Sequence, residues 1–174
     1  MGEFRLYTAN RLIAFVPSHR LRLLYYRNAM KFTIGTGSSI LMGCRFDCAG
    51  GLSVGENSTI NDGCFLDTRG GIRIGNNTAL TSGVWISTVK HDIETANFAA
   101  IAAPVEIGDY VFVGRRATIL QGCKLGTGAV LGAGSVLTRS IPDFEVWAGN
   151  PAKKIGERKQ RDLSYRCQYK RLMH

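Results

Sequence analysis

Large apolar residues recur every six positions through most of this chain. The series begins at Ile34, shifts twice by two residues, stops after Ile86, and restarts at Ile107. The residue four places after each large one is mostly small. This period predicts short strands that coil into a narrow prism, with both the large and the small side chain pointing inward. The large positions are Ile34, Ile40, Phe46, Val54, Ile60, Leu66, Ile74, Leu80, Ile86, Ile107, Val113, Ile119, Leu125, Leu131 and Leu137.

The glycines fit the corners of such a prism. The chain contains 21 glycines, and glycine directly follows many of the large positions, as at Gly35, Gly75 and Gly114. Glycine tolerates the backbone angles that a two- or three-residue corner needs. Three strands make one coil, and stacked coils about 4.8 Å apart bury each other's apolar faces. The pattern therefore predicts about five coils over residues 34–151.

The repeat is interrupted between residues 87 and 106, which read "STVKHDIETANFAAIAAPVE". Lys90 stands where a small inward residue belongs, so the chain has left the wall of the prism by that point. Loops this long inside a compact domain are usually functional or disordered. We expect an extended loop that carries His91 and Asp92 into a cleft, with Phe98 and Ile101 as its packing anchors.

The N-terminal residues 1–33 predict a helical cap in two pieces, divided by Pro17, with Ser18 as the N-cap of the second. This segment holds six Lys and Arg against Glu3. One interpretation is a cap over the open edge of the first coil, which a solenoid needs. The other is a basic amphipathic surface that lies on an anionic membrane. Nucleic acid is not expected, because no binding motif accompanies the charge.

The C-terminal residues 152–174 are also basic, with eight Lys and Arg against Glu157 and Asp162. The net charge of +9 therefore belongs to the two ends of the chain, since residues 34–151 hold more acidic than basic side chains. We expect a short C-terminal helix or a frayed end here, acting as a second cap or lying near a bound phosphate.

Composition excludes several classes. The five cysteines include Cys44, Cys64 and Cys123 at small inward positions, so we expect free packing thiols and no metal site. No apolar run approaches the roughly 18–20 residues that span a bilayer, and the N-terminus lacks a signal-peptide pattern. We expect a cytoplasmic protein, with peripheral contact at the inner face of the membrane as an open alternative.

Several stretches resemble one family. They are "LDTRGGIRIGNN" (66–77), "KHD" (90–92), "PVEIGDYVFVGRRATIL" (104–120), "GAGSVLT" (132–138) and "AGNPAKKIG" (148–156). They are similar to hexapeptide-repeat acyltransferases, most of all to O-acetyltransferases of polysaccharide biosynthesis and less closely to maltose and galactoside acetyltransferases. The resemblance covers roughly residues 32–156. It implies an all-β fold: a left-handed parallel β-helix of about five coils with a helical N-terminal cap, an extruded loop and a short C-terminal helix.

The chemistry of acetyl transfer points to one histidine. A base must remove the proton from the acceptor hydroxyl, and histidine suits that task near neutral pH. The resemblance implies that His91 is this catalytic base. Asp67, the turn residue after Leu66, should line the same edge one coil away, where it would orient the imidazole, bind the acceptor or simply face solvent. Asp92 is either an acceptor contact or a residue that shapes the loop, and Arg69 is a weaker candidate.

The resemblance also implies acetyl-CoA as the acyl donor, held along the later coils. Basic side chains are the expected partners of its phosphates. The family further implies a homotrimer with active sites between subunits. The implied contacts are Ala133 and Thr138 for the pantetheine, Arg115 for the same cleft, and Arg139, Lys153 and Lys154 for the phosphates.

These observations predict a CoA-dependent O-acetyltransferase that acts on a sugar hydroxyl of a surface polysaccharide or its precursor. The hydroxyl attacks the thioester directly, since no cysteine accompanies His91 in the motif. An N-acetyltransferase of an amino-sugar nucleotide is an alternative, because an amine needs similar machinery. A catalytically silent hexapeptide-repeat scaffold is a further alternative. A β-helix carbonic anhydrase is disfavoured, because it needs three metal-binding histidines.

Overall fold

A computed structural model describes residues 2–167 of the chain. Two α-helices, α1 (Gly2–Arg11) and α2 (His19–Asn28), flank a 3-10 helix at Ile13–Phe15. The Ser18 side chain accepts a hydrogen bond from the Leu21 backbone N–H at 3.5 Å, so it is the N-cap of α2, as the sequence predicts. The helical part ends before the first strand begins at Thr33.

Within the described residues, all remaining regular structure is β-strand. In chain order the strands are β1 (Thr33–Ile34), β2 (Ser39–Ile40), β3 (Arg45–Phe46), β4 (Leu52–Val54), β5 (Thr59–Ile60), β6 (Phe65–Leu66), β7 (Ile72–Ile74), β8 (Ala79–Leu80), β9 (Trp85–Ile86), β10 (Val89–His91), β11 (Ala100–Ala102), β12 (Val105–Ile107), β13 (Phe112–Val113), β14 (Thr118–Ile119), β15 (Lys124–Leu125), β16 (Val130–Leu131), β17 (Val136–Leu137), β18 (Glu145–Gly149) and β19 (Ala152–Glu157).

These strands form the three walls of a solenoid. The first wall has the order β1-β4-β7-β12-β15, the second contains β2-β5-β8-β13-β16 followed by β18 and β19, and the third has the order β3-β6-β9-β14-β17. Neighbours from successive coils pair in parallel. Five coils are complete, and a sixth begins where Ile141 bridges to Leu125 and β18 pairs with β16. The predicted parallel solenoid is confirmed, with about six turns instead of five.

The interior contains the residues that the six-residue period predicts. All fifteen large positions are at most 8% exposed, and Cys44, Cys64 and Cys123 are buried in the small inward slot. Polar residues in that slot keep their hydrogen bonds. The Ser58 hydroxyl donates to the Gly75 carbonyl at 2.7 Å, and the next coil repeats this contact through Thr78. The small slot therefore holds either apolar or locally satisfied polar groups.

The helical segment closes the open end of the first coil. Within the solenoid, the carbonyl of a large inward residue accepts a hydrogen bond from the preceding coil, as in the 2.8 Å bond from the Gly35 N–H to the Val54 carbonyl. The first coil has no preceding coil, so three carbonyls need other donors. The Asn10 amide donates to the Phe46 carbonyl at 2.8 Å. Two arginines complete the set: Arg22 donates to Ile40 at 3.4 Å and Arg27 to Ile34 at 3.0 Å.

The predicted C-terminal helix is not found in the described part of the chain, because this segment pairs with the solenoid in extended form. Residues 152–157 form β19, which runs antiparallel to β18. Residues 158–167 contain no helix and lie along a corner of the solenoid, where the Tyr165 hydroxyl donates to the Tyr110 carbonyl at 2.9 Å. The rest of the predicted tail, residues 168–174, lies outside the described residues.

Candidate active site

The interruption at residues 87–106, where we expected an extended loop, contains an antiparallel hairpin. It leaves the third wall after β9 and returns to the first wall at β12, between the third and fourth coils. Its strands β10 and β11 pair Val89 with Ala102 and His91 with Ala100. Because the arms pair with each other, His91 is held at a defined height above the wall.

His91 lies at the far end of β10 with its ring exposed. Its Nδ1 is 2.7 Å from the Phe98 carbonyl oxygen, and the two rings stack with centroids 4.4 Å apart and planes 6° apart. A carbonyl oxygen only accepts hydrogen bonds, so we assign the proton of the neutral imidazole to Nδ1. The lone pair of Nε2 is then free to accept a proton. One peptide group thus sets the tautomer that a general base needs.

Asp67 lies beneath the base of the hairpin. Its side chain is 3% exposed, and its Oδ1 accepts a 2.8 Å hydrogen bond from the Arg69 Nε. The other oxygen, Oδ2, accepts from the backbone N–H groups of Thr88 and Val89 at 3.1 and 3.2 Å. These two residues begin the hairpin arm that carries His91. Asp67 therefore fixes the direction in which that arm leaves the wall.

The pKa of Asp67 is lowered from its ordinary value. Burial acts to raise this pKa, but hydrogen bonds from the Arg69 guanidinium and from the Thr88 and Arg69 backbone N–H groups outweigh burial. Asp67 is thus a charged anchor whose oxygens are already engaged. This geometry does not favour the predicted acceptor contact or a direct contact with the imidazole. In place of a solvated turn aspartate, it shows a buried carboxylate paired with the half-exposed side chain of Arg69.

Asp92 shapes the tip of the hairpin. Its Oδ1 accepts from the Glu94 backbone N–H at 3.0 Å, and its carbonyl accepts from the Thr95 hydroxyl at 2.9 Å. Its own N–H donates to the Ala99 carbonyl at 2.8 Å. Of the two predicted roles for Asp92, acceptor contact or loop shaping, these contacts favour the second.

A cavity of about 250 Å³ lies at the other end of the same edge. Thr138 follows β17 in the column that also contains Asp67 and Ser87, two coils beyond the hairpin, or about 10 Å along the axis. The cavity brings together four of the six residues predicted to contact the carrier. Its lining is Thr138, Arg139, Trp147, Pro151, Ala152, Lys153 and Lys154.

The basic side chains that line this cavity differ in whether an acidic side chain already compensates their charge. Lys154 Nζ lies 2.8 Å from carboxylate oxygens of both Glu145 and Glu157, and their hydrogen bonds raise its pKa. Within residues 2–167, Arg139 and Lys153 make no such ion pair. Arg139 and Lys153 therefore remain available for an anionic ligand, whereas the charge of Lys154 is already compensated.

Arg115 and Ala133 lie on a different corner of the prism, between the second and third walls. They follow β13 and β16 respectively, and the Gly134 N–H donates to the Arg115 carbonyl at 2.8 Å. Neither residue lines the cavity. Within one chain, the predicted carrier residues thus divide between two corners that border the third wall.

Sequence reasoning missed several contacts at this site. Phe98 and Ile101 are exposed, and Phe98 supports the imidazole instead of anchoring a loop. Trp147 lines the cavity. Arg69, which the sequence offered only as a weaker candidate, completes the anchor at Asp67. The sequence offers no signal for the Phe98 carbonyl, because any residue has one. The sequence signal was clearest for the contact between Arg69 and Asp67, because the two residues are two positions apart in one corner of the prism.

The described residues offer neither a metal centre nor a membrane-spanning helix. No group of three or more His, Cys, Asp or Glu side chains is arranged to hold a metal ion within residues 2–167. Over the same range, the helices are too short and too polar to cross a bilayer.

Comparison with known proteins identifies the family. The model named "Bacterial transferase hexapeptide (six repeats)" matches residues 104–139. The structure of a maltose O-acetyltransferase from Clostridium difficile 630 is 30% identical, with a TM-score of 0.79, and the match covers 91% of this chain and 86% of that one. The chain belongs to the hexapeptide-repeat transferase family. The predicted resemblance is therefore confirmed.

Other proteins similar to this chain carry names that indicate different acceptors. A galactoside acetyltransferase solved in complex with coenzyme A is 26% identical with a TM-score of 0.81, over 94% of this chain and 82% of that one. A Staphylococcus aureus 2,3,4,5-tetrahydropyridine-2,6-dicarboxylate N-acetyltransferase is 46% identical over 54 residues, or 31% of this chain and 23% of that protein. The chain spans 23% to 35% of the length of the curated relatives it matches.

Proposed function

We propose that this chain is a CoA-dependent O-acetyltransferase that transfers acetyl from acetyl-CoA to a sugar hydroxyl, with His91 as the general base. The observation that carries this proposal is the 2.7 Å contact between His91 Nδ1 and the Phe98 carbonyl, which leaves Nε2 free to accept a proton. Membership of the family and the exposed position of the ring support the same role.

The proposed transfer is direct. His91 Nε2 removes the proton of the acceptor hydroxyl as the hydroxyl oxygen attacks the carbonyl carbon of the thioester. The carbon–sulfur bond then breaks, and the leaving thiolate receives the proton from the imidazolium. The products are an acetate ester and free CoA, and the base returns to its starting state. Asp67 and the Phe98 peptide hold the base but do not touch the reacting atoms in this scheme.

The proposed carrier site is the cavity at the end of the same edge. Arg139 and Lys153 would meet the phosphates of CoA, with Thr138 near the pantetheine. A related galactoside acetyltransferase was solved with coenzyme A, which supports this class of donor. Arg115 and Ala133, on the neighbouring corner, would complete the carrier site of an adjacent subunit.

A homotrimer is part of this proposal. Trp85 and Phe112 are exposed on two walls of the solenoid, and Trp85 packs on Phe65 with ring centroids 5.1 Å apart. Exposed aromatic side chains on a wall favour contact with another subunit. In this arrangement residues 34–151 are the catalytic domain, residues 1–33 its cap and residues 152–174 an accessory tail.

The acceptor in this proposal is a surface polysaccharide or its precursor, modified in the cytoplasm. The maltose O-acetyltransferase of C. difficile, which matches over most of both chains, favours a sugar hydroxyl. The local match to an N-acetyltransferase favours an amine, so an N-acetyltransferase of an amino-sugar nucleotide is the second candidate.

The test is CoA release from acetyl-CoA with two acceptor sets: oligosaccharides that carry only hydroxyls, and amino-sugar nucleotides. We expect turnover with the first set, a loss of about 10³-fold in kcat for His91→Ala and unchanged CoA affinity by calorimetry. The matched control is Lys90→Ala, an exposed residue of the same strand, which should keep kcat.

Other outcomes would change the assignment. Turnover with the amino sugars alone would favour the second candidate. Full activity of His91→Ala would overturn the mechanism. If the protein neither binds CoA nor turns over any acceptor, the enzyme assignment fails and the silent scaffold becomes the better description.

A further inference from the structure

The outer surface of the N-terminal cap is unusually apolar. Among residues 2–167, thirteen large hydrophobic side chains are exposed, and six of them fall between residues 4 and 24. Each of the six is between 57% and 76% exposed. Such a concentration on one short segment is typical of an interaction surface. We name it the cap surface: Phe4, Tyr7, Leu12, Phe15, Leu21 and Leu24.

Closing the solenoid does not require these six side chains. The inward side of the cap uses different residues: Ala9, Leu23 and Tyr26 are buried in the core, and Asn10 with two arginines satisfies the open carbonyls. The cap therefore has two separate sides, and the exposed apolar side contributes little to folding. The apolar composition of the exposed side therefore needs an explanation other than folding.

Basic side chains lie among the apolar ones. On α1, Phe4, Tyr7 and Arg11 follow at spacings of three and four, and on α2, Arg20 is followed four residues later by Leu24. Residues at these spacings share one side of a helix. Both arginines are exposed. Each helix thus presents a mixed stripe of apolar and cationic groups.

The two helices form one layer over the first coil. The Tyr25 hydroxyl of α2 donates to the Arg5 carbonyl of α1 at 3.0 Å, so the helices lie side by side. Helix α1 contacts β3, and α2 contacts β1 and β2. Glu3 is the one acidic residue between residues 2 and 31. The exposed side of this layer is therefore apolar and positively charged.

We infer that the cap surface docks the protein on an anionic lipid bilayer. The aromatic and leucine side chains enter the interface, and Arg11 and Arg20 meet the anionic headgroups. The apolar contact and the electrostatic attraction are each weak alone. Together they give stable but reversible attachment to the bilayer. This attachment is peripheral, and it does not depend on the proposed acetyl transfer.

The positive charge of the exposed side of the cap favours an anionic bilayer over other partners for the cap surface. A second copy related by a two-fold axis would bring the same arginines against each other, and like charges would oppose the contact. A nucleic acid would engage the arginines but would leave the six apolar side chains in water. An anionic bilayer uses both kinds of side chain at once.

The test is flotation of the full chain with phosphatidylcholine vesicles that either contain or lack phosphatidylglycerol, at low and at high salt. We expect binding to the anionic vesicles at low salt, weaker binding at high salt and little binding to neutral vesicles. Arg11→Gln with Arg20→Gln should weaken partitioning about 25-fold, or about fivefold for each arginine. Phe4→Ser with Phe15→Ser should weaken it at least about tenfold.

Matched controls use exposed residues outside the cap. Arg45→Gln with Arg116→Gln removes the same charge from the walls, and Ile93→Ser with Ile155→Ser removes two exposed apolar side chains. Both controls should bind within about twofold of the parent chain. The cap variants should keep their melting temperature and their turnover of a soluble acceptor, so that loss of docking is distinct from loss of folding or activity.

Three results would overturn the inference. The first is no binding to anionic vesicles at low salt, and the second is equal loss in cap and control variants. The third is a smaller oligomer for Phe4→Ser with Phe15→Ser in size-exclusion chromatography, which would assign the cap surface to contact between copies. Nucleic-acid binding without vesicle binding falls under the first result.

Discussion

The solenoid wall and the hairpin at residues 89–102 are built in opposite ways. In the wall, the large inward residues are at most 8% exposed, and strands of the inner coils are paired on both sides. In the hairpin, three residue pairs hold the two arms together, and His91, Ile93 and Phe98 are exposed. The contrast teaches that stability and chemistry are assigned to different segments, and that Asp67 joins them.

Removing the hairpin is the strongest test of this division. Residues 90–101 are to be replaced by Asn-Gly, since Val89 and Ala102 are paired and a two-residue turn can close them. We expect at least a 10³-fold loss of turnover, because the proposed base is gone. The free energy of unfolding in urea should change by less than about 1 kcal/mol.

This replacement has its own control. His91→Ala in the intact hairpin should lose as much activity as the replacement does. If the shortened chain retained turnover, or unfolded at a much lower urea concentration, the division between wall and hairpin would be wrong.

Shortening a buried side chain in the wall should instead cause a large loss of stability. Leu80 is fully buried in the third coil. Leu80→Ala leaves a cavity between neighbouring coils and should lower the free energy of unfolding by about 3 kcal/mol. Ile93→Ala, in the exposed tip of the hairpin, should lower it by less than about 0.5 kcal/mol. Urea denaturation of both variants measures the difference, and similar values would contradict it.

Asp67→Asn tests the junction between the two regions. The amide keeps the shape but loses the ion pair with Arg69, so the hairpin base should loosen. We expect about a tenfold loss in kcat and a loss of about 1–2 kcal/mol in unfolding free energy. The matched change is Asp62→Asn, where the carboxylate accepts only an exposed hydrogen bond from Ser82, and both quantities should stay near the parent values.

The lowered pKa of Asp67 predicts that the free energy of unfolding depends on pH. Because the pKa of Asp67 is lower in the folded chain than its ordinary value near 3.9, the unfolded chain binds this proton first as pH falls. The stabilisation is therefore complete above about pH 5 and is lost progressively as the pH falls below about 4 towards the lowered pKa of the folded chain. Unfolding curves of the parent and Asp67→Asn should differ at pH 6 and converge in acid. A constant difference down to pH 3 would contradict the sign.

The smallest expected effect concerns the carrier cavity. Arg139→Gln and Lys153→Gln should each weaken CoA binding about five- to tenfold, since each removes a cation with no ion pair among the described residues. Lys154→Gln should weaken it less than about threefold, because Glu145 and Glu157 already compensate that charge. Calorimetry with CoA measures all three, and equal losses would contradict the ranking.

The wall was predictable from sequence because its order is local and repeated. One large residue every six positions defines the inward side, and all fifteen such positions are buried. The hairpin was predictable only as an interruption. Nothing in "STVKHDIETANF" specifies that the chain reverses near Phe98, or that its carbonyl meets His91. The extended C-terminal segment was also missed, because its conformation depends on pairing with β18.

By itself, the sequence determined the period, the inward residues, the helical cap and the place where the chain leaves the wall. Each follows from side-chain burial along a short stretch, which composition and spacing record directly. Only the tertiary structure decided the tautomer of His91, the engagement of Asp67 and the division of the carrier residues between two corners. Those features depend on backbone groups, such as the Phe98 carbonyl and the Thr88 and Val89 N–H groups, and on how distant corners of the prism stack. Such contacts leave no periodic signal in the chain.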